Sequence, residues 1–188
     1  MIIFITGPSG VGKSTLRDHY CRLHRIPPIS AITTRPSRIG ESEIHKTVTK
    51  EAFDELLDNG RLCLISNNHG FWYAYLKNTV MNRENTVSMF EVDSYTAICE
   101  KSSLNAKIIR VVPSCSEKGI AMIRLKRDNV RDRLTDYREQ LDEAFISGRH
   151  DAGDIIFLND YTHNALKRFD DLVNGLVGNF SGERKSDG

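Results

Sequence analysis

Residues Gly7 to Ser14 read G-P-S-G-V-G-K-S and follow the apolar run Ile2-Ile3-Phe4-Ile5-Thr6. A buried strand, a glycine turn and the start of a helix are the context in which this string forms a phosphate-binding loop. Gly7, Gly10 and Gly12 allow a backbone path that a side chain would obstruct, so several N–H groups can converge on one oxyanion. Lys13 is expected to reach the terminal phosphates, and the Ser14 hydroxyl to hold Mg²⁺. The helix beginning there turns its positive end toward the anion. A glycine turn that binds nothing has no need of the Lys13-Ser14 pair. The expected ligand is a nucleoside triphosphate.

The bulk properties narrow the class. With 188 residues the chain is long enough for one substantial core, with or without inserted lobes. Charge is nearly balanced, 26 Lys and Arg against 25 Asp and Glu, so no field favours nucleic acid or an anionic membrane. The four cysteines, Cys21, Cys63, Cys99 and Cys115, form no C-x-x-C pair. They read as reduced thiols of a cytoplasmic protein. The six histidines have no metal-ligand spacing. No apolar stretch approaches membrane-spanning length. The expected partners are small molecules, and the expected state is a monomer or homodimer.

Strand and helix signals alternate, which predicts an α/β fold with a parallel sheet covered on both faces. Leu16, Tyr20 and Leu23 mark one face of the first helix, and Pro27-Pro28 launches a strand near 29–33. Thr49 is placed to cap a short helix carrying Phe53, Leu56 and Leu57, which Gly60 stops. Strands at 62–66 and 71–75 joined by a turn interrupt the alternation and predict a small lobe, with Trp72 in its core. Core elements resume with strands at 86–92, 108–112 and 154–158 and a helix from Ser94. A long charged helical region is expected over 116–145. Ala165, Phe169, Leu172, Val173, Leu176 and Val177 form a helical stripe, and residues 180–188 read as a frayed tail.

A phosphate loop alone does not separate kinases from GTPases, but the D-x-x-G and N-K-x-D strings of a GTPase do not occur here. What does occur is Thr33-Thr34-Arg35-Pro36-Ser37-Arg38-Ile39-Gly40-Glu41. Two planar guanidinium groups three residues apart can grip one phosphate. With this segment the chain resembles the guanylate kinase family, whose second strand leads into T-T-R-x-x-R-x-G-E. The resemblance runs over nearly the whole chain. Gly60 to Tyr75 aligns without a gap to the family's G-x-F-x-E-…-G-x-Y-Y-G-[ST], Glu91-Val92-Asp93 resembles D-[IV]-D, and Asp154–Asp160 resembles D-…-N-[DN].

The resemblance implies a P-loop NTPase fold comprising a core (1–32 and 87–179), an acceptor-binding lobe (33–86) and a helical lid near 127–138. It implies an ATP- and Mg²⁺-dependent kinase whose loop residues Gly7, Ser9, Gly10, Val11, Gly12, Lys13, Ser14 and Thr15 hold ATP, with Asn159 beside the adenine. Arg35, Arg38 and Tyr73 are implied to hold the acceptor phosphate. Asp93 ends an apolar run, where a carboxylate beside the loop can organise the metal's water shell or contact the acceptor. The alternative is an N-cap for the helix from Ser94. Glu91 lies two residues earlier on the same face to share the task. Arg127 and Arg138 fall at the spacings of the family's lid arginines, and closing arginines stabilise the charge of phosphoryl transfer. The family glycine after the entry arginine is Asp128 here.

The chain departs from the family where the acceptor base is read. The guanine-reading glutamate is Leu64, the serine before T-T-R is represented by Ala31-Ile32, the tyrosine after the G-E turn is His45, and G-[ST] is Ala74-Tyr75. An apolar pocket discriminates bases far less than a hydrogen-bonding one. The first expectation for the acceptor is GMP, dGMP or another nucleoside monophosphate. The ribose 1,5-bisphosphate phosphokinases look similar in having an apolar residue at the glutamate position, but they lack the second arginine, Arg38 here. A non-catalytic binding module is the rival from another class, and the Lys13-Ser14 pair argues against it.

Overall fold

The computed structural model describes residues 1–7, 10–37, 45–68, 70–82, 87–113 and 154–183. Its first strand, β1 (Ile2–Thr6), is buried on both faces, as a central parallel strand must be. β1 lies between β6 (Ser88–Glu91) and β7 (Ala106–Pro113), and β8 (Ile155–Asn159) extends the sheet beyond β7. All three pairings are parallel, so the sheet order is β6-β1-β7-β8.

Alternation along β1 sends its side chains to two cores. Ile3 and Ile5 join Leu16 and Tyr20 of α1 (Lys13–Leu23) and Phe169 and Val173 of α5 (His163–Glu183). Ile2 and Phe4 face the other side with Phe90, Ile108 and Ala97 of α4 (Ser94–Glu100). The buried face of α1 is Leu16, Arg17, Tyr20 and Cys21. Leu23, expected on that face, is 58% exposed because the helix ends there. The last helix continues through residues expected in the tail, to Glu183. At the start of β8, Asp154 is buried against Lys101 Nζ (3.3 Å) and Arg110 Nη2 (3.4 Å).

The second sheet has the order β3-β2-β5-β4, with β2 (Ala31–Thr33), β3 (His45–Thr47), β4 (Leu62–Asn68) and β5 (Phe71–Leu76). Sequence reading assigned residues up to 32 to the core; instead β2 pairs antiparallel with β5, Ile32 opposite Ala74 and Thr33 opposite Tyr73. A three-residue apolar strand carries no signal of which sheet it joins. α2 (Lys50–Asp58) begins where Thr49 Oγ1 accepts a hydrogen bond from Ala52 N (3.2 Å) and packs Phe53 under this sheet. The short α3 (Lys77–Met81) follows β5 and buries Val80. The helical region expected at 116–145 lies outside the described residues. Among the described residues no helix is long and apolar enough to cross a membrane.

Burial raises the thiol of Cys21 above its usual value. Burial, reinforced by Glu100 and opposed by Lys77, pushes Cys63 up to about 11. Both thiols therefore stay protonated near neutrality, and the thiolate is the reactive form. Iodoacetamide at about pH 8 is expected to label the exposed Cys99 well before Cys21 and Cys63 in the native protein. Peptide mass mapping checks this, and early labelling of Cys63 would contradict the burial described.

Candidate active site

The glycine loop sits where β1 leaves the sheet, at the carboxyl ends of the parallel strands, the usual ligand crevice of such folds. Gly7 has φ +136°, and a Cβ there would lie 2.3 Å from the carbonyl oxygen of Val111. Gly12 (φ +90°) is the N-cap of α1, and a Cβ on it would meet Asn159 Nδ2 at 2.6 Å. No side chain caps α1 and its first turn has no acidic residue, so its leading N–H groups face the crevice. Lys13 Nζ donates to Gly7 O at 2.8 Å, across the loop. Val11 is buried, and Ser14 and Thr15 are exposed at the helix start.

Asn159 is buried, and both ends of its amide serve the chain. Nδ2 donates to Val11 O at 2.8 Å, and Oδ1 accepts from Tyr161 N at 3.0 Å. Its side chain thus holds the phosphate loop itself, where the resemblance implied a place beside the adenine.

The carboxylate at the loop mouth is Glu91. Ser14 Oγ donates to Glu91 Oε2 at 3.2 Å. Asp93, on which sequence reading placed more weight, is the N-cap of α4: it accepts from Thr96 N (2.9 Å) and from Thr96 Oγ1 (2.7 Å). Both of its oxygens are thereby engaged with the chain. The strand ends at Glu91 and the helix begins at Ser94, so the two carboxylates divide into one facing the loop and one capping the start of a helix.

Sequence reading missed Arg17. It lies one helical turn beyond Ser14, is 1% exposed and bonds Asp18 Oδ1 through Nε (3.0 Å) and Nη2 (2.9 Å). Its Nη1 stands 2.9 Å from Glu91 Oε1, an ionic contact without hydrogen-bond geometry that leaves that buried oxygen unsatisfied among the described residues. Burial opposes the charge on Arg17, but Glu91, Tyr75 and Asp18 outweigh it and hold the guanidinium above its ordinary value. A charge beside the apolar Leu16 was the available signal; its partner Glu91 is distant in sequence. Ser14 Oγ and Glu91 Oε2 form a pair of hard oxygen donors beside an anion-binding loop, a chemistry that suits Mg²⁺.

Across the crevice, the second sheet brings several expected acceptor residues together. Thr33 is buried opposite Tyr73, and the His45 ring lies 6.1 Å from that of Tyr73. Arg35 is 9% exposed; its N donates to Thr33 Oγ1 and its O accepts from Thr47 Oγ1, both at 3.1 Å. Leu64 lies in the irregular stretch of β4 between Cys63 and Ser66, with φ +52°. It is 4% exposed and packs in the apolar cluster of Phe4, Tyr75 and Phe90. The predicted residues Ser9, Arg38, Arg127 and Arg138, together with Asp128, lie outside the described residues.

No family model matches the chain. A guanylate kinase of Mycoplasmoides gallisepticum is 28% identical over 185 residues, covering 92% of this chain and 91% of its own. One of Bacillus cereus is 26% identical over 186 residues, covering 93% and 88%. The crystal structure of guanylate kinase from Anaplasma phagocytophilum matches 93% of this chain and 85% of its own with a TM-score of 0.67 at 19% identity. The chain is similar to guanylate kinases over more than nine-tenths of its length. That likeness supports an ATP-dependent kinase. The P-loop kinase fold also appears in the match to shikimate kinase from Bacteroides thetaiotaomicron, with a TM-score of 0.52 over 95% of this chain and 98% of that one, at 18% identity. Against that guanylate kinase background, the buried Leu64 stands out.

Proposed function

We propose that the chain transfers the γ-phosphoryl group of ATP to the phosphate of a nucleoside monophosphate, with GMP or dGMP the first candidates. One observation carries this reading. Strand β5 joins the two halves of the site: Tyr75 reaches Glu91 beside the loop, and Tyr73, on the same face, stands opposite Thr33 next to Arg35. The acceptor phosphate held by Arg35 and Tyr73 would then face the donor phosphates held by the loop.

The residues do their work by positioning and charge. The N–H groups of the loop and the first turn of α1 cradle the donor phosphates, and Lys13 moves from Gly7 O to the terminal phosphate. Ser14 and Glu91 would hold Mg²⁺, which when bound neutralises charge on the phosphates. Arg35 supplies a guanidinium for the acceptor phosphate. No covalent intermediate on the chain is required.

A second acceptor class is favoured by one observation. Leu64 and Ala74, at the positions where the family resemblance implies base contacts, are buried and apolar and offer no side-chain hydrogen bond. A sugar bisphosphate, which has no base to read, would lose nothing there. Steady-state kcat/KM for GMP, AMP and ribose 1,5-bisphosphate decides: a ratio strongly favouring the sugar overturns the nucleotide reading and leaves the kinase standing. Arg35→Ala is expected to raise the acceptor KM by about tenfold to a hundredfold, the loss of a charged hydrogen bond, with little change for ATP. Impaired ATP binding with unchanged acceptor KM would reverse the two half-sites.

A further inference from the structure

Among the described residues β6 is the edge strand of the core sheet, and the outward N–H and C=O of Glu91 have no neighbouring strand there. The Tyr75 hydroxyl serves both: it accepts from Glu91 N and donates to Glu91 O, each at 3.1 Å. A phenol from the second sheet thus replaces the missing strand at one residue, the residue whose carboxylate meets Ser14. The Tyr75 ring is buried edge-on to Phe90, 5.0 Å between centroids, so the hydroxyl has little freedom to leave. On the other side of β6, Arg17 holds the carboxylate from α1.

We infer that Tyr75 is a positioning residue for the donor half-site: from the acceptor lobe it fixes the Glu91 peptide so that the carboxylate, steadied by Arg17, stays beside Ser14 for the metal bound with ATP. This rests on the proposed reading of Ser14 and Glu91 as the metal's residues. It gives the large residue at position 75 a task unrelated to reading a base. Groups that orient a metal's carboxylate contribute to affinity although they never touch the metal.

The test is the Mg²⁺ dependence of binding of a fluorescent, non-hydrolysable ATP analogue, measured without acceptor and without turnover. Tyr75→Phe keeps the ring against Phe90 and removes only the hydroxyl. It is expected to raise the Mg²⁺ concentration for half-maximal enhancement by about tenfold, with metal-free analogue affinity unchanged. Glu91→Gln is expected to lose the enhancement, and adding Tyr75→Phe to it to change nothing more, since the two act through one group. Arg17→Lys, which keeps the charge but loses the fork, is expected to show a smaller shift of the same kind and stands in should Tyr75→Phe fold poorly. A wild-type Mg²⁺ profile in folded Tyr75→Phe, or additive effects with Glu91→Gln, overturns the inference alone. Wild-type binding without any Mg²⁺ enhancement overturns the metal reading, and the inference with it.

Discussion

Lys13→Ala is expected to cut turnover by about a hundredfold to a thousandfold, the usual scale for removing one preorganised stabilising group from a transition state. Among the described residues nothing else at the loop mouth replaces a mobile ammonium: α1 contributes backbone dipoles, and Arg17 is committed to Asp18 and Glu91. The fold is expected to survive. The hydrogen bond Lys13 makes to Gly7 O contributes about 1 kcal/mol, and no core cluster contains the side chain. Coupled ADP release with thermal unfolding on the same sample checks both halves. Near-wild-type turnover would remove the catalytic role given to Lys13, whereas a collapsed melting curve would mean that the lysine supports the loop.

The strand, glycine turn and helix of the loop were legible in the sequence because their determinants are local. An apolar strand, three glycines and a Lys-Ser pair specify a turn whatever lies elsewhere, and Gly7 and Gly12 occupy backbone positions that a side chain would obstruct. The same holds for α2, announced by its Thr49 cap. The remainder depends on distant partners. Three residues of β2 cannot say that they will pair with β5. In Glu91-Val92-Asp93 both carboxylates have strand parity, and only the end of β6 separates them. The spacing of Asp93 and Thr96 is an N-cap pattern and was the readable clue. Arg17 and Tyr75 gain their roles from Glu91, which reaches them through the tertiary fold alone. The left-handed backbone at Leu64 comes from an irregularity in strand pairing that residue types do not encode.

Leu64→Glu is expected to destabilise the protein by about 4 kcal/mol near neutrality, a large share of a domain's total stability. Removing the leucine side chain from its cluster forfeits about 2 kcal/mol of burial. Placing a carboxyl among Phe4, Tyr75 and Phe90 costs about as much again, because those neighbours offer it no cation. Desolvation would raise the new group's pKa above its unfolded value, so the unfolded chain releases its proton first. The penalty is then smallest below the unfolded carboxyl pKa and grows as pH rises above it. Urea unfolding at about pH 4.5 and about pH 7 should therefore show the larger deficit at the higher pH. If the pocket has lost base reading and the new carboxylate could face the base, Leu64→Glu would instead improve the use of GMP. The φ of +52° and the 4% exposure argue that position 64 faces the interior. A variant of wild-type stability with raised kcat/KM for GMP would show that residue 64 swings into the acceptor site.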